Sequence, residues 1–219
     1  VLPPAGKDMR AAQFFPAALL NYGENLLAGG DRPGANDEAI IFRREDGVRR
    51  VMTWQQLRDD SIAFASFLAG AGVGSNDRVA AWMPNVPETI VAMIATSLLG
   101  ATFTSTSPDF GVAGVLDRFG QVEPTVLVAA DGYVYANRRH SRLDRLAEVV
   151  AGLPSLEAVV VHGELTEEVN LSSLREANDG LPIVTFAQAV AAGRQAVEGG
   201  KGIDPQALFP FDHPLYVLY

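Results

Sequence analysis

Two short stretches of the sequence hold side chains that could do chemistry. Ser107-Pro-Asp-Phe-Gly111 sets a hydroxyl, a carboxylate and an aromatic ring side by side, between a β-branched run and a helical pattern. Asp109 there either caps the following helix or holds a ligand hydroxyl or amine, because a carboxylate accepts from backbone amides and ligand donors alike. Arg138-Arg-His-Ser-Arg142, with Arg145, is the densest positive stretch in the chain. It is either a solvated helix start or a clamp for phosphates, whose charge a guanidinium meets with paired hydrogen bonds.

Other chemistries are disfavoured. The 219 residues include no cysteine, which removes disulfides, thiolate metal sites and a cysteine nucleophile. There is no Gly-x-Ser-x-Gly elbow and no phosphate loop ending in Gly-Lys-Ser/Thr. His140, His162 and His213 lie far apart, with no His or acidic partner at ligand spacing, so a metal site has little support. Gly70-Ala-Gly72-Val-Gly74 has glycines spaced as if to admit a pyrophosphate. It follows a helical pattern and precedes a strand, the reverse of the dinucleotide fingerprint, and reads as a helix stop and turn. An NAD-dependent oxidoreductase is disfavoured on the same ground.

The balance of 17 Lys+Arg against 26 Asp+Glu, a net charge of −9, argues against nucleic acid as a partner. The most apolar stretch, Ile90 to Phe103, is broken by Thr96, Ser97 and Gly100 and falls short of the roughly 18 residues of a membrane span. No basic-then-apolar leader opens the sequence. Hydrophobic residues make up 48% and charged residues 20%, which gives a globular core and fits a cytoplasmic enzyme.

The elements that must position the two stretches follow from periodicity and punctuation. Ile40-Ile-Phe42 and Val51-Met-Thr53 form a hairpin through Asp46-Gly47, with its four arginines and Glu45 as a solvated tip. Thr53-Trp-Gln-Gln56 is a capping box opening a helix from about 54 to 69. Arg78 to Met83 is a buried strand, and Pro87 starts an apolar helix that ends at Gly100. Ala101 to Thr106 is a strand, followed after the Ser107 loop by a helix through Val115, Leu116 and Phe119. Thr125 to Ala130 and Leu156 to Val161 are strands, with a helix between them capped by Ser141 and Asp144. Gly163 to Gly180 reads as loop, Thr185-Phe-Ala-Gln188 starts a further helix, and Leu215 to Tyr219 is a terminal strand. Trp54 and Trp82 read as core. Strands separated by helices imply parallel pairing, hence an α/β fold with a doubly wound, mostly parallel sheet flanked by helices and a β-hairpin near the N-terminus.

Several strings in order, including Phe14-Phe-Pro-Ala-Ala-Leu-Leu-Asn-Tyr-Gly-Glu-Asn-Leu-Leu27, Met83-Pro-Asn-Val-Pro-Glu88, Ser107-Pro-Asp-Phe-Gly111, Leu116-Asp-Arg-Phe-Gly-Gln-Val-Glu-Pro124 and Ala130-Asp-Gly-Tyr133, resemble the N-terminal part of the adenylate-forming acyl-CoA synthetases. The Ser-Pro-Asp-Phe-Gly and Asp-Arg-Phe-Gly-Gln strings point to the acetoacetate-activating branch of that family. Acetyl-CoA or other short-chain synthetases, and a non-catalytic CoA- or nucleotide-binding module, are the alternatives. The resemblance implies a ligase that uses acetoacetate, ATP with Mg²⁺, and CoA. It implies that Ser107, Asp109 and Phe110 form a wall near the CoA nucleotide and that Arg138 meets the CoA phosphates. A second family arginine falls near Val134, where this sequence departs, and the neighbouring Arg139 stands in. The family's phosphate loop would follow Tyr219, so residues 1–219 are expected to be an incomplete N-terminal domain, inactive alone, with no catalytic residue nameable within it. The resemblance sets no oligomeric state.

Overall fold

The computed structural model describes residues 12–28 and 33–219. In chain order the elements are β1 (Leu19–Leu20), α1 (Tyr22–Ala28), β2 (Glu38–Arg43), β3 (Arg49–Thr53), α2 (Trp54–Gly70), β4 (Arg78–Trp82), α3 (Pro87–Leu98), β5 (Thr102–Thr106), α4 (Val112–Val122), β6 (Val126–Ala130), β7 (Gly132–Tyr135), β8 (Arg138–Ser141), α5 (Leu143–Ala151), β9 (Ala158–His162), α6 (Ser172–Ala177), β10 (Ile183–Thr185), α7 (Phe186–Glu198), β11 (Phe209–Pro210) and β12 (Tyr216–Val217).

Six strands form one parallel sheet in the order β10-β9-β6-β4-β5-β12. Its central strands are buried on both faces, which is why Val126–Ala130 and Ala158–His162 are apolar throughout and do not alternate. Val79, Ala81, Val126, Val128, Ala158 and Val160 pack into one core with α2, α3 and α7. Their neighbours Ala80, Trp82, Leu127, Ala129, Val159 and Val161 pack into a second core with α4, α5 and α6. The doubly wound arrangement expected from the sequence is present.

The local signals act as physical chemistry requires. Thr53 and Thr185 each close a capping box with Gln56 and Gln188, satisfying amides that a helix start leaves without partners. Pro87 sits in the first turn of α3, where its missing N–H costs nothing. After α2 the chain turns through Gly72 at φ 89°, so the Gly70–Gly74 run is a helix stop. Helices α2 and α7 cross in close contact at Gly193, where a methyl group would run into the Ala63 carbonyl.

β12 lies parallel on β5 at the sheet edge, with Phe103 donating to the Leu215 carbonyl at 2.9 Å. The polar stretch 163–180 is not wholly loop. It contains the short helix α6, which buries Leu174 in the second core. Among the described residues, no helix is long and apolar enough to cross a membrane.

Candidate functional site

From β4 the chain moves to β5 through α3 on one face of the sheet, then returns past β4 to β6 through α4 on the other face. Right-handed crossovers force this change of face when the direction of strand addition reverses. Loops that leave neighbouring strands toward opposite faces part at the strands' C-terminal ends, where open α/β sheets bind ligands. Here that edge carries a cavity of about 300 Å³ lined by Arg43, Arg44, Asn85, Ser107, Pro108 and Val134, among others.

The Ser107 loop forms one wall. The indole of Trp82, buried at the end of β4, donates to the Ser107 carbonyl at 3.1 Å, and Pro108 is buried behind it. Phe110 is 36% exposed, with the Arg118 guanidinium 4.5 Å from its ring centroid. Asp109 does not cap the helix. Gly111 occupies the N-cap of α4 with no side-chain cap bond, and Asp109 stays exposed with no hydrogen-bond partner among the described residues. Gly111 holds an extended N-cap conformation, φ −73° and ψ 160°, and the Asp109 carboxylate stays exposed at the loop tip.

Most of the arginine stretch is a strand, so of the two readings the sequence left open the solvated helix start does not hold. Residues 138–141 form β8, antiparallel to β7, around a two-residue turn with Ala136 at φ 51° and Asn137 at φ 57°. Positive φ at both central positions is the twist-matched hairpin turn, and Asn tolerates it well. The strand signal lay in Gly132-Tyr-Val-Tyr135, rich in strand-forming residues. Gly132 lets the ribbon close, since a methyl there would meet the His140 carbonyl and the Leu165 side chain. Ser141 does not cap α5 either; Arg142 holds that position without a side-chain cap bond.

Strand alternation then separates the two candidate arginines. Arg138 pairs across from Tyr135, exposed and without a hydrogen bond among the described residues. Arg139 pairs across from Val134, and its guanidinium donates to the Leu165 carbonyl. His140 stacks on Tyr133 with ring centroids 4.9 Å apart. Val134 lines the cavity beside Ser107, whereas Arg138, Arg139 and Arg142 do not line it; the two stretches singled out from the sequence meet instead where Arg142 donates to the Pro108 carbonyl.

Sequence reasoning missed the polar web behind the cavity. The buried Asp131 carboxylate accepts from the amides of Glu164, Leu165 and Thr166 and from the Thr166 hydroxyl, at 2.8 to 3.0 Å. This fixes the turn after β9 and places the Glu164 carboxylate 2.5 Å from Arg44 and 3.3 Å from His162. Burial pushes the Glu164 carboxyl up, but hydrogen bonds from His162 and Arg44 outweigh it and hold the group below its ordinary value. The expected solvated hairpin tip is therefore partly corrected. Arg44 also grips Asp46 within the hairpin, while its bond to Glu164 and the Arg50–Glu88 pair fasten the hairpin to the turn after β9 and to α3. The signal was the odd placement of Glu164 directly after an apolar strand.

Among the described residues, no three His, Asp or Glu side chains converge in a way that could hold a metal ion.

A family model described as AMP-binding enzyme matches residues 30–219. The chain is 38% identical over 214 residues to acetoacetyl-coenzyme A synthetase of Rhizobium meliloti (strain 1021), covering 98% of this chain and 30% of that protein. It is 34% identical over 211 residues to acetoacetyl-CoA synthetase of Xenopus tropicalis, covering 94% and 30%. Malonamoyl-CoA synthetase vrtB of Penicillium aethiopicum is 36% identical over 214 residues, covering 94% and 28%. Among solved structures, acetoacetyl-CoA synthetase from Streptomyces lividans superposes with a TM-score of 0.81 at 39% identity, covering 96% of this chain and 30% of that one. The chain thus spans about 30% of the length of the relatives it matches.

Proposed function

The chain belongs to the AMP-binding enzyme family, and from that premise we propose that it is the N-terminal portion of a cytoplasmic ligase that activates acetoacetate with ATP and transfers the acyl group to CoA. The observation that carries this reading is the 34 to 38% identity to acetoacetyl-CoA synthetases over nearly the whole chain. The acyl groups in the relatives' names narrow the acid further. Acetoacetyl and malonamoyl groups both carry a second carbonyl two carbons from the carboxyl, which favours a short 3-oxo acid over acetate.

In this reading the acid's carboxylate attacks the α-phosphate of ATP, releasing pyrophosphate and forming an acyl-adenylate. The step replaces a poor leaving group with AMP, and the CoA thiol then displaces AMP to give acetoacetyl-CoA. Mg²⁺ would supply charge stabilisation on the transferring phosphate. ATP, Mg²⁺ and the acid would be held by the part of the enzyme outside these residues.

The share of the work assigned to this chain is CoA recognition. Ser107, Asp109 and Phe110 form the wall against the nucleotide, supported by their exposure at the sheet's C-terminal edge. Arg138 meets the CoA phosphates, supported by its exposed guanidinium without a partner among the described residues. Arg139 is the weaker candidate, because it already serves the Leu165 carbonyl.

Acetoacetate-dependent ATP–pyrophosphate exchange tests the reading. The full-length parent is expected to catalyse it and the 219-residue chain alone is not. Absence of exchange in the parent overturns the ligase assignment, and exchange by the chain alone overturns its proposed incompleteness.

A further inference from the structure

Arg142 is 9% exposed, yet none of the ion pairs among the described residues includes it. Buried guanidinium groups are ordinarily matched with a carboxylate, since removing a charge from water is costly. Among the described residues the group is held by neutral acceptors only. Its Nε donates to the Pro108 carbonyl at 2.7 Å, one Nη to the Tyr133 hydroxyl at 2.8 Å and the other to the Ser141 carbonyl at 3.3 Å. The guanidinium carbon lies 4.8 Å from the centroid of the Tyr133 ring. The Arg142 amide also donates to the Asp131 carbonyl at 2.8 Å.

One side chain thus joins the loop after β5 to the β7–β8 ribbon, two segments that the sequence keeps apart. We propose that Arg142 is a positioning residue for CoA, fixing the Ser107 loop against the ribbon that carries Arg138. The proposal rests on the ligase reading above. The rigid fork of an arginine serves Pro108 and Tyr133 together, which the point charge of a lysine cannot do. Because no carboxylate among the described residues pairs with it, Arg142 also adds positive potential behind a wall that faces an anionic ligand.

The test uses the full-length parent with Arg142→Lys and Tyr133→Phe, the second removing only the hydroxyl acceptor. Three quantities are read: the KM for CoA in thioester formation, CoA affinity by calorimetry, and acetoacetate-dependent ATP–pyrophosphate exchange, which needs no CoA. Arg142→Lys is expected to raise the CoA KM and weaken CoA binding about tenfold. Tyr133→Phe shifts both in the same direction by less, and exchange proceeds as in the unsubstituted protein. Equal losses in exchange and thioester formation, or an unchanged CoA KM, overturn the proposal. If Arg142→Lys does not fold, unchanged CoA affinity in Tyr133→Phe overturns it instead. A parent that lacks exchange but loses CoA affinity on substitution defeats the ligase reading while the role of Arg142 stands; a parent that binds no CoA defeats both.

Discussion

Arg50 on β3 meets Glu88 in the first turn of α3 through two hydrogen bonds, at 2.7 and 3.1 Å. The pair fastens the outlying hairpin to the helix that covers β4 and β5. Glu88 also lies near the positive end of that helix, which favours its charge. Arg50→Ala and Glu88→Ala in a double-mutant cycle should show a coupling of about 1 kcal/mol by chemical denaturation, since the pair is bidentate but partly solvated. A coupling indistinguishable from zero would show that this pair adds nothing to the apolar contacts and the Arg44–Glu164 bond that also hold the hairpin.

Asp131 organises the turn after β9. Its substitution by Ala leaves three backbone amides and a hydroxyl without their acceptor, and the loss of stability should be about 2 to 3 kcal/mol. Asp131→Asn, which keeps an acceptor oxygen, should lose less. Urea unfolding of the two variants checks the order, and an equal loss in both contradicts it.

The depressed Glu164 carboxyl makes a contribution to stability that depends on pH. A group whose folded pKa lies below its unfolded value stabilises fully above the unfolded value, about 4.3 for Glu. That contribution disappears as pH falls through the folded value. Glu164→Gln should therefore flatten the acid limb of the stability profile while the remaining carboxylates keep theirs. Unfolding free energies measured from neutral to acid pH check this, and parallel profiles for variant and parent rule it out.

Gly193 allows α2 and α7 to touch. Gly193→Ala would raise intrinsic helix propensity, yet its methyl group collides with the Ala63 backbone, which cannot rotate aside. Overpacking should prevail, with a net loss of about 1 to 3 kcal/mol read as a lower melting temperature. A stabilised variant would mean that the two helices separate without cost.

Where a pattern is local, the sequence carried it to the structure. The capping residues of α2 and α7, the stop at Gly72 and the apolar runs of β4, β6 and β9 each depend on a few neighbouring residues. The ribbon of β7 and β8 was hidden because its turn rests on Ala136 and Asn137 with no glycine, and because four polar residues resemble a helix start as readily as a strand. Of the two readings open for Asp109, capping fails because the N-cap falls two residues later, on Gly111.

By itself the sequence determined that the chain alternates strand and helix, that its central strands are buried, and that the Ser107 loop follows a strand. These are consequences of side-chain type and period, which need no distant partner. Only the tertiary structure decided that Arg142 faces Pro108, that Glu164 closes on Arg44 and His162, and that Arg138 and Arg139 point to opposite sides of a ribbon. Arg142 and Pro108 lie 34 positions apart and Arg44 and Glu164 lie 120 apart, and the opposite faces of the two arginines depend on strand register. Such geometry exists only once the whole sheet has assembled and brought its C-terminal edge loops together.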